Sequence, residues 1–136
     1  MKIKKQIITS IILVISVVIL ASCGKPSTLE EYINKDADAK AEIEKIAETS
    51  GLSVNVKENT LEYGYDVSTI SDAFTEEIAM DSETKKEFES ALESQKSVFE
   101  NLCKTLEEAS EVEGVKVLVK YTYKDKTIAE KTFTNN

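Results

Sequence analysis

The chain has 136 residues with 17 basic and 25 acidic side chains, a formal charge of −8, and neither histidine nor tryptophan. An acidic chain offers no basic footprint for nucleic acid and no polybasic grip on anionic lipid. Without histidine it lacks the commonest general base and metal ligand, and its two cysteines, Cys23 and Cys103, are too few for a thiolate zinc site.

The first residues, MKIKK, carry three lysines and no acid. From Ile7 to Leu20 the chain is apolar apart from Thr9, Ser10 and Ser16, and Ala21 and Ser22 then lead to Cys23. A basic start, an apolar middle and a small-residue exit form a secretory signal peptide. The apolar run falls short of the roughly 20 residues of a membrane span. Leu20-Ala21-Ser22-Cys23 resembles the lipobox of bacterial lipoproteins. That resemblance implies a diacylglycerol on the Cys23 thiol and cleavage between Ser22 and Cys23. Two acyl chains on one residue give a stable anchor where a single chain binds only marginally. The expected organisation is a signal peptide at 1–22, a lipidated cysteine with a short tether at 23–27, and one domain at 28–136. Losing Lys2, Lys4 and Lys5 with the leader makes the remainder more acidic still.

Within the domain, Ser27 with Glu30 three residues on reads as a capping box, opening a helical pattern that runs to Thr49 on Leu29, Tyr32, Ile33, Ile43, Ile46 and Ala47. Asn34 to Asp36 can break it, both end residues being good caps, and Gly51 is placed to close it. The period then becomes two: Leu52, Val54 and Val56, a turn at Glu58-Asn59, and Leu61, Tyr63, Tyr65 and Val67, a hairpin pattern. Ile70, Phe74 and Ile78 suit a short helix. Asp81 or Ser82 then caps a long one, whose stripe of Phe88, Leu92, Phe99, Leu102, Leu106 and Ala109, widened by Ala91 and Val98, is interrupted only by Gln95. Gly114 closes this region. Val115, Val117, Val119, Tyr121 and Tyr123 alternate with Lys116, Lys120 and Lys124, which the pattern places on a wet face. Lys124 to Lys126 turn the chain, and the last strand, Thr127 to Thr134, carries Ile128 and Phe133 at opposite parity, the signature of a bulge or a two-sided edge. The prediction is an α+β fold: a two-layer αββαββ sandwich with an antiparallel sheet, helices on one face, and the signal-peptide helix in front. Ser27 to Val67 and Asp81 to Thr134 form the two pattern repeats.

The stretch from Thr28 to Tyr65 resembles a family of small lipoproteins of Gram-positive bacteria whose members share an L-E-E-Y-[IV]-N start and a G-[LM]-x-V-x-V-[KR]-[DE]-N-T turn, here Leu29 to Asn34 and Gly51 to Thr60. The resemblance implies architecture and location and carries no mechanism.

The acid pairs (Glu30 and Glu31, Asp36 and Asp38, Glu76 and Glu77, Glu107 and Glu108, Glu111 and Glu113) read as solvated charge, and "DADAKAE" lacks the glycine and spacing of a calcium loop. Without histidine there is no Ser-His pair, and four glycines form no phosphate loop. Cys103 reads as a buried small hydrophobe rather than a reactive thiol. No catalytic residue, metal site or cofactor is expected. The reading is a cell-surface lipoprotein, held on the extracytoplasmic face of the membrane through Cys23, whose domain is a non-catalytic interaction or scaffolding module for an envelope protein. The alternative is a lipoprotein that binds a small solute.

Overall fold

The computed structural model describes residues 27–50, 52–69 and 71–135. The leader, Ser22, Cys23 and most of the tether lie outside the described residues, as do Gly51 and Ile70. The elements run α1 (Leu29–Lys35), α2 (Ala37–Ser50), β1 (Ser53–Lys57), β2 (Thr60–Asp66), a 3-10 turn (Val67–Thr69), α3 (Glu76–Met80), α4 (Ser82–Ser94), α5 (Lys96–Ser110), β3 (Lys116–Tyr123) and β4 (Lys126–Thr134). The fold is mixed α+β, with five α-helices and one four-stranded sheet ordered β1-β2-β3-β4 among the described residues.

Local chemistry sets most boundaries. Thr28, extended at φ −138°, caps α1 by accepting from Glu31 N–H at 3.1 Å, while the Glu31 carboxylate accepts from Ser27 N–H and Oγ–H. The capping box thus sits one residue later than the sequence suggests, because Thr28 rather than Ser27 occupies the position whose oxygen reaches the third helical amide. Asp36 divides α1 from α2 as expected, its Oδ1 accepting from the amides of Asp38 and Ala39. Thr75 caps α3 and Asp81 caps α4 in the same way.

The long helix expected from Asp81 onward is two helices. Gln95, at φ −100° and ψ 9°, separates α4 from α5. Ser94 Oγ–H donates back to the Ala91 carbonyl at 2.8 Å, and Gln95 N–H donates to the carbonyl of Leu92, so the ladder tightens at this point. The one polar residue in the apolar stripe therefore marks a bend. Phe88 and Leu92 before it, and Phe99, Leu102 and Leu106 after it, are all buried, whereas Val98 turns outward at 47 % exposure.

The sheet departs from expectation at its centre. β1 and β2 pair antiparallel, as do β3 and β4, but β2 and β3 run parallel, Thr60 opposite Lys116 and Tyr65 opposite Tyr121. The physical reason is the repeat itself. The crossover through α3, α4 and α5 returns the chain to the end where β2 began, and Lys116 N–H donates to the Asn59 carbonyl at 2.8 Å. The second hairpin therefore starts level with β2 and in the same direction.

Side chains alternate as a pleated sheet requires. Leu61, Tyr63, Val117, Val119, Tyr121, Ala129 and Phe133 are buried with the apolar stripes of α4 and α5, and Phe88 packs on Tyr121 and Phe99 on Phe133 with ring centroids 4.9 and 4.8 Å apart. Ser53, Asn55, Lys116, Lys120, Glu130 and Thr132 take the other parity and are exposed or half-exposed. Lys124 belongs to the turn, at φ 54°. In β4 the register shifts between Tyr121 and Thr122, so Ile128 is an extra residue, and the bulge lets both Ile128 and Ala129 face the core.

Val117 is fully buried, whereas Lys120 lies on the other face 4.0 Å from Glu130. Val117→Asp is expected to cost several kcal/mol by burying an unpaired charge, and Lys120→Glu less than about 1 kcal/mol; urea unfolding of the two variants checks the ranking.

Candidate functional site

Two polar junctions hold the ends of the sheet. At one, the Asn59 side chain accepts through Oδ1 from Leu29 N–H at 3.1 Å and donates through Nδ2 to the Glu113 carbonyl at 3.4 Å, beside the Asn59 carbonyl that takes Lys116 N–H. Glu30 completes this junction: its N–H donates to the Glu58 carbonyl and its carboxylate accepts from Glu58 N–H, both at 2.8 Å. The L-E-E-Y-I-N start and the K-E-N-T turn thus bind each other. At the opposite end, Asp66 Oδ1 accepts from Ser68 N–H, Ser68 Oγ–H and Lys124 N–H. Burial works to raise the Asp66 carboxyl, but those three donors and the nearby Lys124 charge outweigh it and hold the group below the ordinary aspartate range.

Half of the acidic residues singled out in the sequence do such structural work. Glu31 pairs with Lys35, Asp36 caps α2, Glu76 pairs with Lys126, and Glu107 accepts from Gly114 N–H at 2.8 Å. The Lys35 ammonium, then the Ser27 donors, hold Glu31 down to about 2. Among the described residues no three acids or cysteines gather where a metal ion could sit, and no helix is long and apolar enough to cross a membrane. Cys103 is fully buried with its thiol 3.3 Å from the Phe133 carbonyl, and burial pushes it up to about 11. Tyr32, Tyr63 and Tyr121 are core residues, Tyr63 and Tyr121 raised by burial, the latter to about 12. Tyr65 and Tyr123 are half-buried against the core.

An open feature among the described residues is the side of the sheet at β4. β4 is an edge and, at nine residues, the longest strand. Beside it a cleft of about 650 Å³ opens toward α4, walled by Lys86, Glu89, Ser90 and Glu93 on the helix and by Glu130 and Lys131 on the strand, with Leu92 at its base. Lys131 has the parity of the buried face, ion-pairs with Glu93 across the cleft, and lies 5.7 Å from the Phe133 ring. An inward-pointing charge and a bulge are two devices that blunt a sheet edge. The strand pattern left an edge open as one of two readings, and the Lys131–Glu93 bridge lay outside it, because nothing in the local pattern brings residue 93 to residue 131. The β1 edge differs: it is five residues long, with α1 and α2 packed against it.

Backbone direction along β4 follows from the junction at Asn59. Lys116 N–H points to β2, so the polar groups of Val117 point to β4, and those of its partner Phe133 point back to β3. Lys131 shares that direction, while the N–H and C=O of Glu130, Thr132 and Thr134 face outward from the free edge.

The chain belongs to the family described as "Domain of unknown function (DUF4854)", whose model matches residues 29–133, from the first residue of α1 to the penultimate residue of β4. No curated protein and no solved structure matches it significantly.

Two outcomes are expected here. Asn59→Ala, which strands the Leu29 and Glu113 backbone groups, should lower stability by about 1–3 kcal/mol, read from urea midpoints. For Asp66, the folded carboxyl is depressed, so its contribution is complete above the ordinary value of 3.8 and is lost as pH falls through the lower folded value. The stability gap between the native chain and Asp66→Asn should therefore narrow on acidification below that value and stay constant above it.

Proposed function

We propose that this chain is a membrane-anchored bacterial lipoprotein of the Gram-positive type, carried by a lipid on Cys23 on the extracytoplasmic face, whose domain is a non-catalytic interaction module. The observation that carries the anchor is sequential: a lysine-led, apolar leader ends on Leu20-Ala21-Ser22-Cys23, and its order of basic, oily and small segments is that of a signal peptide. Leu29 opens α1 only six residues after Cys23. Six extended residues reach roughly 20 Å, so a lipid on Cys23 would hold the Asn59 end of the domain close to the bilayer and leave the Asp66 end outermost.

The interaction role draws on how the side chains are spent. The carboxylates described above cap helices, pair with lysines or tie loops, and the remaining thiol is buried. We read the domain as two layers, helices over the buried parity of the sheet, with the polar parity and the β4 edge turned outward. The cleft beside β4 has the volume of a small-ligand site, about 300–1,000 Å³, and this favours solute binding as the second reading. Five of its seven lining residues are charged, which suits a protein surface better than an enclosed ligand.

Cys23→Ala is expected to abolish labelling by a fatty-acid analogue and to leave the chain unprocessed or released from the membrane; equal labelling of both forms refutes the anchor. Purification from solubilised envelopes separates the two roles, a co-purifying protein supporting the interaction module and a co-purifying metabolite the solute carrier.

A further inference from the structure

We infer that the β4 edge is a self-association surface, on which β4 of a second copy adds antiparallel with Thr132 at the two-fold axis, joining two four-stranded sheets into one. The inference names a partner for the interaction role and does not depend on the lipid.

The outward-facing backbone groups of β4 beyond its bulge belong to Glu130, Thr132 and Thr134, and Thr132 is their midpoint. A two-fold axis perpendicular to the sheet keeps each face continuous, so opposed residues must share parity. With Thr132 on the axis, Thr132 opposes its own copy and Glu130 opposes Thr134, which closes about six backbone hydrogen bonds. Threonine pairs across antiparallel strands are favourable. On the buried face, Lys131 opposes Phe133 of the second copy, repeating the cation–ring contact it already makes at 5.7 Å within its own chain.

Neighbouring registers are worse. An axis at Glu130 opposes two carboxylates directly, and one at Lys131 opposes two ammonium groups; like charges directly across a ladder destabilise it. An axis at Phe133 leaves only about four backbone hydrogen bonds. An axis further back runs into the bulge at Ile128.

The cleft adjoins this edge. The same two-fold brings α4 of each copy antiparallel across the axis. Its cleft wall carries Lys86 at one end and Glu93 at the other, with Glu89 and Ser90 between. A second copy seated on β4 closes the cleft that this wall borders.

The test uses the full chain in detergent, with Cys23→Ser to remove the competing thiol. Sedimentation velocity should show a dimer. Thr132→Pro removes an outward-facing donor but no β3–β4 hydrogen bond, so it should weaken dimerisation by at least about tenfold while far-UV circular dichroism stays unchanged. Should that variant not fold, Thr132→Cys still decides: mild oxidation should link it as a dimer at least about tenfold faster than Glu130→Cys, whose two copies would lie about 13 Å apart along the strands. A wild-type chain that stays monomeric up to about 100 times the micromolar range, a folded Thr132→Pro that still dimerises, or cross-linking of Glu130→Cys as fast as Thr132→Cys overturns the inference. Capture of a different protein by β4 without self-association overturns it equally.

Discussion

The amide of Asn59 is the joint on which the fold turns. Three segments that are distant in sequence, the start of α1, the first hairpin turn and the approach to β3, meet there. The first amides of a helix and the carbonyls of a loop both need partners, and a carboxamide can accept from one and donate to the other. Aspartate could only accept, and serine or threonine would be too short to reach both. Because Lys116 is bound beside it, the same residue fixes where the second hairpin begins and hence the parallel register of the central strand pair. The two sequence stretches that suggested a family, one at the start of α1 and one at the first turn, are the two halves of this joint.

Asp66 performs the corresponding task at the far end of β2, tying the 3-10 turn to the second hairpin through Ser68 and Lys124. The two hairpins repeat each other down to the backbone: Glu58 and Lys124, each the first residue of its turn, both stand at φ 54°. A non-glycine residue there costs on the order of 1–2 kcal/mol, which is tolerated where the adjoining position is bound as tightly as Asn59. Between these two junctions the core is continuous, from Leu29 and Tyr32 at one side to Phe99 and Phe133 at the other.

Much of this was legible in the chain because it is local. Alternation gave both hairpins, opposite parity at Ile128 and Phe133 pointed to a bulge or a two-sided edge, of which the strand carries the bulge, and the position of Cys103 beside the Leu102 stripe gave its burial. The cap at Thr28 was missed by one residue, since Ser27 and Thr28 offer the same hydroxyl and only backbone geometry distinguishes them. Gln95 was visible as a flaw in the stripe, but a flaw can be absorbed in a straight helix or bend it, and the Ser94 back-bond decides. The parallel central pair was not legible: within each hairpin, direction follows from a tight turn, whereas the relation between hairpins depends on the path of three helices. The partners of Asn59, Asp66 and Lys131 stayed hidden for the same reason, because a polar turn residue or a strand lysine reads identically whether its partner is water or a distant segment. The leader and Cys23 are the opposite case, a reading that rests wholly on sequence.

The parallel pairing of β2 with β3 also sets an order of events in time. Each hairpin closes over a two-residue turn, but Thr60 finds Lys116 only after the whole helical crossover has been spanned. Closing so long a loop carries an entropic cost that local pairing avoids, and folds that rely on distant pairings form slowly. During synthesis the first αββ unit therefore emerges complete, with the inner edge of β2 bare and the faces of Leu61 and Tyr63 uncovered until α4 and α5 arrive. The second half thus supplies the surface that covers the first.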